Sequence, residues 1–290
     1  MTALAFALIQ VVALCLAVRA AMADGLSPGT EFRDCDDCPI MIVVPAGRYV
    51  MGGRAHDERV RPAELPRRDV HIAYDFAVSK YEVGIAEFER CQADAACSSD
   101  ISFEARAPEQ AAFGLSWLDA QDYVRWLSEQ TGARYRLLSD AEWEYAARAG
   151  TDTIFWWGDD KGEGHAACSD CGRRYAGLSD PPRQRGQYPA NPFGLHDTSG
   201  GVAEWVEDCI DTFIHPEVAD GSPVLASDKY GCDYRAIRGG DAGLHSLFAR
   251  NSDRTGQKTD YRLLKTGIRL ARDLGPLTRT GDGGEHDGSD

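Results

Sequence analysis

A mixed α+β domain with little regular structure and many loops is what the sequence predicts, and three observations carry that prediction. Two amphipathic stretches open with helix-start signatures, Ser116 with Asp119 and Ser139 with Glu142. The other apolar stretches are short and extended in pattern. Gly and Pro number 30 and 13 among 290 residues, which demands many turns and excludes a helical bundle. With 43% hydrophobic residues a sizeable core can be buried, in one large domain or two small ones.

Residues 1–23 read as a targeting segment. Ala3 to Val18 is an apolar run too short for a spanning helix, and Ala21-Met22-Ala23 has the small residues that a signal peptidase requires. The segment's start lacks Lys and Arg, and Leu14 before Cys15 is too bulky for a lipobox. Cleavage is expected after Ala23, giving a periplasmic or secreted product. Residues 24–39 form a polar leader, 40–272 the domain, and 273–290 a Gly- and Asp-rich tail expected to be disordered.

Within the domain, Ile40 to Met51 reads as a strand closed by Gly52-Gly53. Val70 to Val83 reads as another extended stretch, with Ile72, Phe76 and Val78 turned to a core. A short helix is expected over Ile85 to Ala93. Ser116 caps a helix whose apolar face is Trp117, Ala120, Val124 and Leu127, ended by Gly132. Ser139 and Glu142 open the next, which Gly150 stops in left-handed conformation. Thr151 to Gly240 is loop-rich, with short late strands at Ala236-Ile237 and Ile268 to Leu270. No repeat of solenoid period is present.

Lys and Arg total 31 against 46 Asp and Glu, a net charge of −15, which repels phosphate backbones and excludes nucleic-acid binding as a main role. No second apolar run is long enough to span a bilayer. Apart from Cys15, eight cysteines fall into four local couples: Cys35/Cys38, Cys91/Cys97, Cys168/Cys171 and Cys209/Cys232. Eight thiols allow about 105 pairings, and local disulfides are the simplest scheme in an oxidising compartment. A four-cysteine zinc site from the two C-x-x-C couples is the alternative, with a thioredoxin-like redox role a weaker one.

Several stretches together resemble the formylglycine-generating enzyme, or sulfatase-modifying factor, family. They are MIVVPAGRYVMGG from Met41, KYEVGIAEFERC from Lys80, LSWLDAQDYVRWLSEQTGARYRLLSDAEWEYAARAGT from Leu115, and FWWGDD from Phe155. NPFGLHDTSGGVAEWVEDC from Asn191, AIRGGD from Ala236 and GIRLAR from Gly267 continue the series in order. The resemblance implies one domain with a C-type-lectin-like α+β fold. It also implies structural calcium, held by Asp197, Gly200, Val202 and Glu204, where oxygen ligands would converge around the Gly200-Gly201 turn. The plainer reading is an Asp-capped turn whose carboxylates take backbone N–H groups. A second calcium region would lie in Ala166 to Asp180, where Ala167 stands in place of the family's Asn and Asp180 could remain a ligand.

The family's copper(I) thiols should follow the Arg238-Gly239-Gly240 turn, yet Leu244 and Ala249 occupy their positions. Asp241 replaces the usual Ser, and Ala203 the Trp before Glu204. Hydrocarbon side chains cannot ligate copper, so no copper and no copper-dependent formylglycine generation are expected. The seven His form no His-x-x-x-His-x-Glu array for iron. The chain is similar in type to the pyoverdine-maturation oxidase branch, which implies an exported oxidoreductase acting on a small or peptide-tethered substrate. Asp241 and His245 are then the proton-transfer candidates, with Arg250 and Arg254 orienting an anionic or phenolic substrate and His196 a further option. Against this, Asp241 could only cap its turn, His245 could be a surface histidine, and Arg250, Arg254 and Arg269 could pair with carboxylates. A non-catalytic, lectin-like ligand- or protein-binding module is the alternative function. A monomer is expected.

Overall fold

The computed structural model describes residues 26–54, 57, 59–104, 106–172, 184–210, 213–226 and 231–275, and Ser27–Asp273 form one compact unit. The expected targeting segment, Asp180 and the tail from 276 onward lie outside the described residues.

The helices follow their caps. α1 spans Ile85–Ala93, α2 Trp117–Thr131 and α3 Asp140–Arg148. At the start of α2 the Asp119 amide donates to Ser116 Oγ at 3.1 Å, while Asp119 Oδ2 accepts from the Ser116 amide at 2.8 Å. Two otherwise orphaned donors are thereby satisfied. Gly132, at φ 70°, ends it. α3 opens in the same way on Ser139 and Glu142, but its left-handed turn begins one residue early, at Ala149 with φ 45°. The Ala149 amide still closes the last helical turn on Tyr145 O, so the chain reverses there and Gly150 continues the reversal.

Both long extended stretches are split. β1 (Glu31–Phe32), in the expected leader, pairs with β2 (Met41–Val44), and β3 is Gly47–Met51. β4 covers Arg68–Ile72 and β5 Phe76–Ser79. Pro45 has no N–H, and the Ala46 amide is taken by Asp75 Oδ1 at 2.6 Å. One contact thus ties the break between β2 and β3 to the break between β4 and β5. Beyond it β3 and β4 pair as a separate two-stranded sheet, while β2 and β5 stay together.

The main sheet runs β1-β2-β5-β11-β6, with β6 at Tyr135–Leu137 and β11 at Leu270–Asp273. Asp273, placed by sequence in the tail, therefore ends a strand. The second sheet runs β10-β7-β8-β9, from Thr266–Ile268, Ala203–Cys209, Tyr234–Arg238 and Arg254–Lys258. The loop-rich reading of Thr151 to Gly240 missed β7, the second sheet's seven-residue strand. Its Glu204 and Asp208 disguise it as solvent-facing text, although both are buried. The single late strand expected at Ile268 to Leu270 is two strands in different sheets, and Arg269 is the residue between them. Ile42, Val44, Phe76, Trp143 and Val206 pack in the core between these layers.

All four cysteine couples are local disulfides, with Cα–Cα distances of 5.0 Å for Cys35–Cys38, 5.3 Å for Cys91–Cys97, and 5.1 Å for both Cys168–Cys171 and Cys209–Cys232. The four-cysteine zinc alternative is thereby overturned. Among the described residues no helix is long and apolar enough to cross a membrane.

Candidate functional site

The segment after β8 is shaped by Arg238, fully buried against Asp140 at 2.9 Å and Glu144 at 2.6 Å. Gly239 and Gly240 follow at φ 83° and 64°. A Cβ on Gly240 would stand 2.6 Å from Phe248 O, so this turn folds back on a short 3-10 helix, Ser246–Ala249, in a way only glycine allows. His245 caps that helix, its Nδ1 accepting from the Leu247 amide at 3.2 Å.

Of the four expected catalytic residues, His245 and Arg250 line one cleft, and Asp241 and Arg254 do not. Asp241 accepts from the Gly243 amide at 2.7 Å, and burial raises its pKa. Arg250 is buried, with Nη1 and Nη2 at 2.8 and 2.6 Å from Glu64 and Nη2 3.2 Å from Asp253. Arg254 is buried and held by Asp140 at 2.8 Å. Both arginines serve internal ion-pair networks, because a buried guanidinium must be matched by carboxylates. His245 alone is mainly exposed, and its Nε2 lies 3.0 Å from Asp170 Oδ2.

His245 and Asp170 stand in the wall of a cleft of about 650 Å³, with Phe155, Lys161 and one face of Arg250 also lining it. Phe155 stacks on Trp157 at 4.7 Å between ring centres, and Trp157 on His165 at 5.0 Å. Partial burial opposes ionisation of Asp170, but hydrogen bonds from Lys161 and Ser246 and the nearby His245 outweigh it and bring its pKa down to about 2. The carboxylate is therefore a fixed negative partner for the imidazole. Sequence reasoning missed Asp170 because Cys168-Ser169-Asp170-Cys171 was weighed for its cysteines alone, as a disulfide, part of a zinc site or a redox couple. An acidic residue between two cysteines was the available signal.

The predicted calcium loop is a second buried centre. Asp197 (φ 57°), Gly200 (φ 82°) and Gly201 (φ 76°) curl the chain, and a Cβ on Gly200 would run into Ala167 O. Val202 follows, fully buried, beside β7. Asp197 Oδ2 accepts from the Gly186 amide at 2.5 Å. Glu204 is committed to Arg269, whose Nη2 is 2.8 Å from Oε1, and to Trp143 Nε1 at 2.5 Å. His196 stacks on Tyr81 at 5.0 Å, and its Nδ1 is 2.8 Å from Tyr188 O. Ala167, in the expected second calcium region, forms a backbone bridge with Gly200 and offers no side-chain ligand.

Glu82, which sequence reasoning did not select, joins this centre: its Oε1 would lie 2.7 Å from a Cβ on Gly201. Glu82 and Glu204, both buried, and the half-buried Asp197 are three carboxylates near one guanidinium, that of Arg269. Burial first, then the Asp197 charge, pushes the Glu82 carboxyl well above its ordinary range, and burial raises Asp197 also. Glu82 Oε2, Thr198 Oγ1 and Ser199 Oγ are buried without a hydrogen-bond partner. Excess negative charge with orphaned oxygens fits an oxygen-ligated divalent cation on the Glu82–Asp197 side of the loop.

The sulfatase-modifying factor enzyme 1-like domain matches residues 28–274. The chain is similar to the formylglycine-generating enzyme of Mycobacterium tuberculosis, 36% identical over 114 residues covering 37% of this chain and 35% of that protein. It is also similar to that of Streptomyces coelicolor, 30% identical over 183 residues covering 57% of this chain and 54% of the other. The alignments thus span about a third to a half of those relatives. Among solved structures it resembles PvdO from Pseudomonas aeruginosa, with TM-score 0.76, 33% identity, and coverage of 86% of this chain and 100% of that one. Treponema denticola variable protein 1 shares the fold at TM-score 0.67 and 16% identity, over 84% and 98% of the two chains. With one domain description running through the whole described fold, from β1 to the end of β11, the chain belongs to the sulfatase-modifying factor enzyme 1-like family and has its C-type-lectin-like α+β architecture.

Proposed function

We propose that the protein is an exported oxidoreductase, not a copper-thiolate formylglycine generator, acting on a small or peptide-tethered substrate in the cleft beside Gly240. The observation that carries this reading is the His245 Nε2–Asp170 Oδ2 contact of 3.0 Å in the cleft wall. A carboxylate that stays anionic orients the imidazole through Nε2 and stabilises its protonated form, so His245 takes a substrate proton at Nδ1 when the substrate displaces the Leu247 amide from that nitrogen. Phe155, buried and stacked on Trp157, closes the apolar side of the cleft, and Lys161 and Arg59 stand there beside Asp159, Asp160 and Asp170, a mixed-charge lining. Loss of two electrons and two protons from the substrate to dioxygen, giving hydrogen peroxide, balances the reaction. Leu244 and Ala249 at the family's thiol positions support a mechanism without copper there.

The test is oxygen consumption by the purified chain with phenol-bearing peptides. The reading expects turnover in the native chain and loss of at least 100-fold in His245→Ala. Peptide-dependent turnover unchanged by that substitution would end the assignment. A non-catalytic binding module is favoured by one observation: Asp241, Arg250 and Arg254 are all tied into the scaffold. Peptide binding with no oxygen uptake would select it.

Calcium on the Glu82–Asp197 side of the loop is part of the proposal, as a structural ion. It would offset the surplus carboxylate charge and hold the turn that leads into β7. Four disulfides accord with an oxidising compartment after export.

A further inference from the structure

The arginines and the lysine that line the cleft are already matched inside the protein. Arg250 is buried, with Nη1 and Nη2 2.8 and 2.6 Å from the Glu64 carboxylate. Arg59 Nε lies 2.8 Å from Oδ1 of Asp57, whose side chain is 11% exposed. Lys161 Nζ donates to the carbonyl oxygen and to Oδ2 of Asp170, at 2.7 and 2.8 Å. A substrate carboxylate drawn to any of the three would strip the partner from an internal carboxylate, and leaving a buried charge unpaired costs more than an ion pair in an open cleft returns.

The carboxylates of the lining are not all balanced in this way. Asp159 accepts from the Ile154 amide at 3.0 Å and faces Arg54 at 3.2 Å. Asp160 has only the Gly162 amide, 3.0 Å from Oδ1, and among the described residues no cation pairs with it. Its backbone is held in place: Trp157 Nε1 donates to Asp160 O at 2.9 Å, and the Trp157 ring is clasped between Phe155 and His165, with ring centres 4.7 and 5.0 Å away. The charge left open in the lining is thus a carboxylate on a rigid support, in a chain of net charge −15.

We infer that the cleft selects substrates carrying a positive charge, an ammonium or guanidinium group beside the reacting ring, and that Asp160 is the specificity-determining residue that pairs with it. The inference rests on the reading of this cleft as the substrate site and deepens it. It reverses the anionic preference expected from Arg250 and Arg254, which Glu64 and Asp140 neutralise. A cation entering the cleft displaces no internal partner of Asp160, because the Gly162 amide occupies Oδ1 and leaves the other oxygen open.

The test is equilibrium binding to the full chain, independent of turnover, with three probes that share a phenol ring and differ in charge: tyramine, p-cresol and 3-(4-hydroxyphenyl)propionate. The native chain should bind tyramine about 5-fold more tightly than p-cresol, the return of one ion pair in a partly exposed setting, and the propionate most weakly. In Asp160→Asn, which keeps the acceptor for the Gly162 amide, tyramine should fall to the p-cresol value while p-cresol itself binds as before. The unchanged p-cresol affinity shows that the cleft has kept its shape. No tyramine binding, equal affinity for the three probes, tightest binding of the propionate, or a tyramine preference that survives Asp160→Asn overturns the inference. Its failure is distinct from that of the oxidoreductase reading: tyramine preference without oxygen uptake supports the first and rejects the second, and oxygen uptake that favours the anionic phenol does the reverse.

Discussion

Arg269 reaches Glu204 at the one residue where the chain leaves the second sheet for the main sheet, with Nη2 and Oε1 2.8 Å apart and both side chains buried. The guanidinium also donates to Ser79 O at 2.9 Å and His196 O at 2.7 Å. It therefore joins β5, β7 and the calcium-type loop at a single point. Removing it leaves a buried, uncompensated carboxylate, so Arg269→Met is expected to cost about 3–5 kcal/mol. Urea unfolding of the two proteins checks this; a loss below about 1 kcal/mol would show that Glu204 finds another partner.

The surplus carboxylates predict a calcium response. At neutral pH calcium should raise the melting temperature and EDTA lower it, and Glu82→Gln should abolish the difference. At 100 times the dissociation constant the gain is about 2.7 kcal/mol by mass action. A melting temperature indifferent to EDTA would remove calcium from this loop.

Asp208 predicts how stability depends on pH. Burial, then the charge of Asp140, lifts its carboxyl to about 7. An unfolded aspartate titrates near 4, at about 3.9, so between these values the folded chain holds a proton that the unfolded chain has lost. This group's contribution is complete below pH 4 and disappears as pH rises through 7. Asp208→Asn should flatten the fall in urea midpoint between pH 5 and 8. An unchanged slope would assign it to other groups, with Asp253, also lifted to about 7 by burial, the first to examine.

Gly240→Ala should distort the cleft wall without touching its chemistry. The new methyl would meet Phe248 O at 2.6 Å, on a backbone at φ 64° that side chains rarely adopt. A cost of about 1–3 kcal/mol is expected in thermal or urea unfolding. A variant as stable as the parent would mean that the turn can relax.

Legibility in the sequence followed the range of the interactions. The α2 and α3 caps are local, and Ser116 with Asp119 and Ser139 with Glu142 announced both helices. The cysteine couples were equally local. β7 was hidden because Glu204 and Asp208 are buried by partners far along the chain: Arg269 for the first, the Asp140 and Val224 amides for the second. The same holds for the candidate site. His245 was selected, but its partner Asp170 lies 75 positions earlier, and only the folded chain unites them. Arg250 and Arg254 were chosen for their charge; Glu64 and Asp140, which neutralise them, are as distant.

The disulfides close loops between near neighbours, the longest joining Cys209 to Cys232, so no covalent bridge links the first half of the chain to the second. Yet β11, at the carboxyl-terminal end, is inserted between β5 and β6 from the amino-terminal half. A single proteolytic nick near Gly162 would therefore produce two pieces held by sheet pairing, buried charge and a shared apolar core, with no covalent link. Expressed separately, such pieces carry complementary edges, which makes this scaffold a candidate for split-fragment reconstitution.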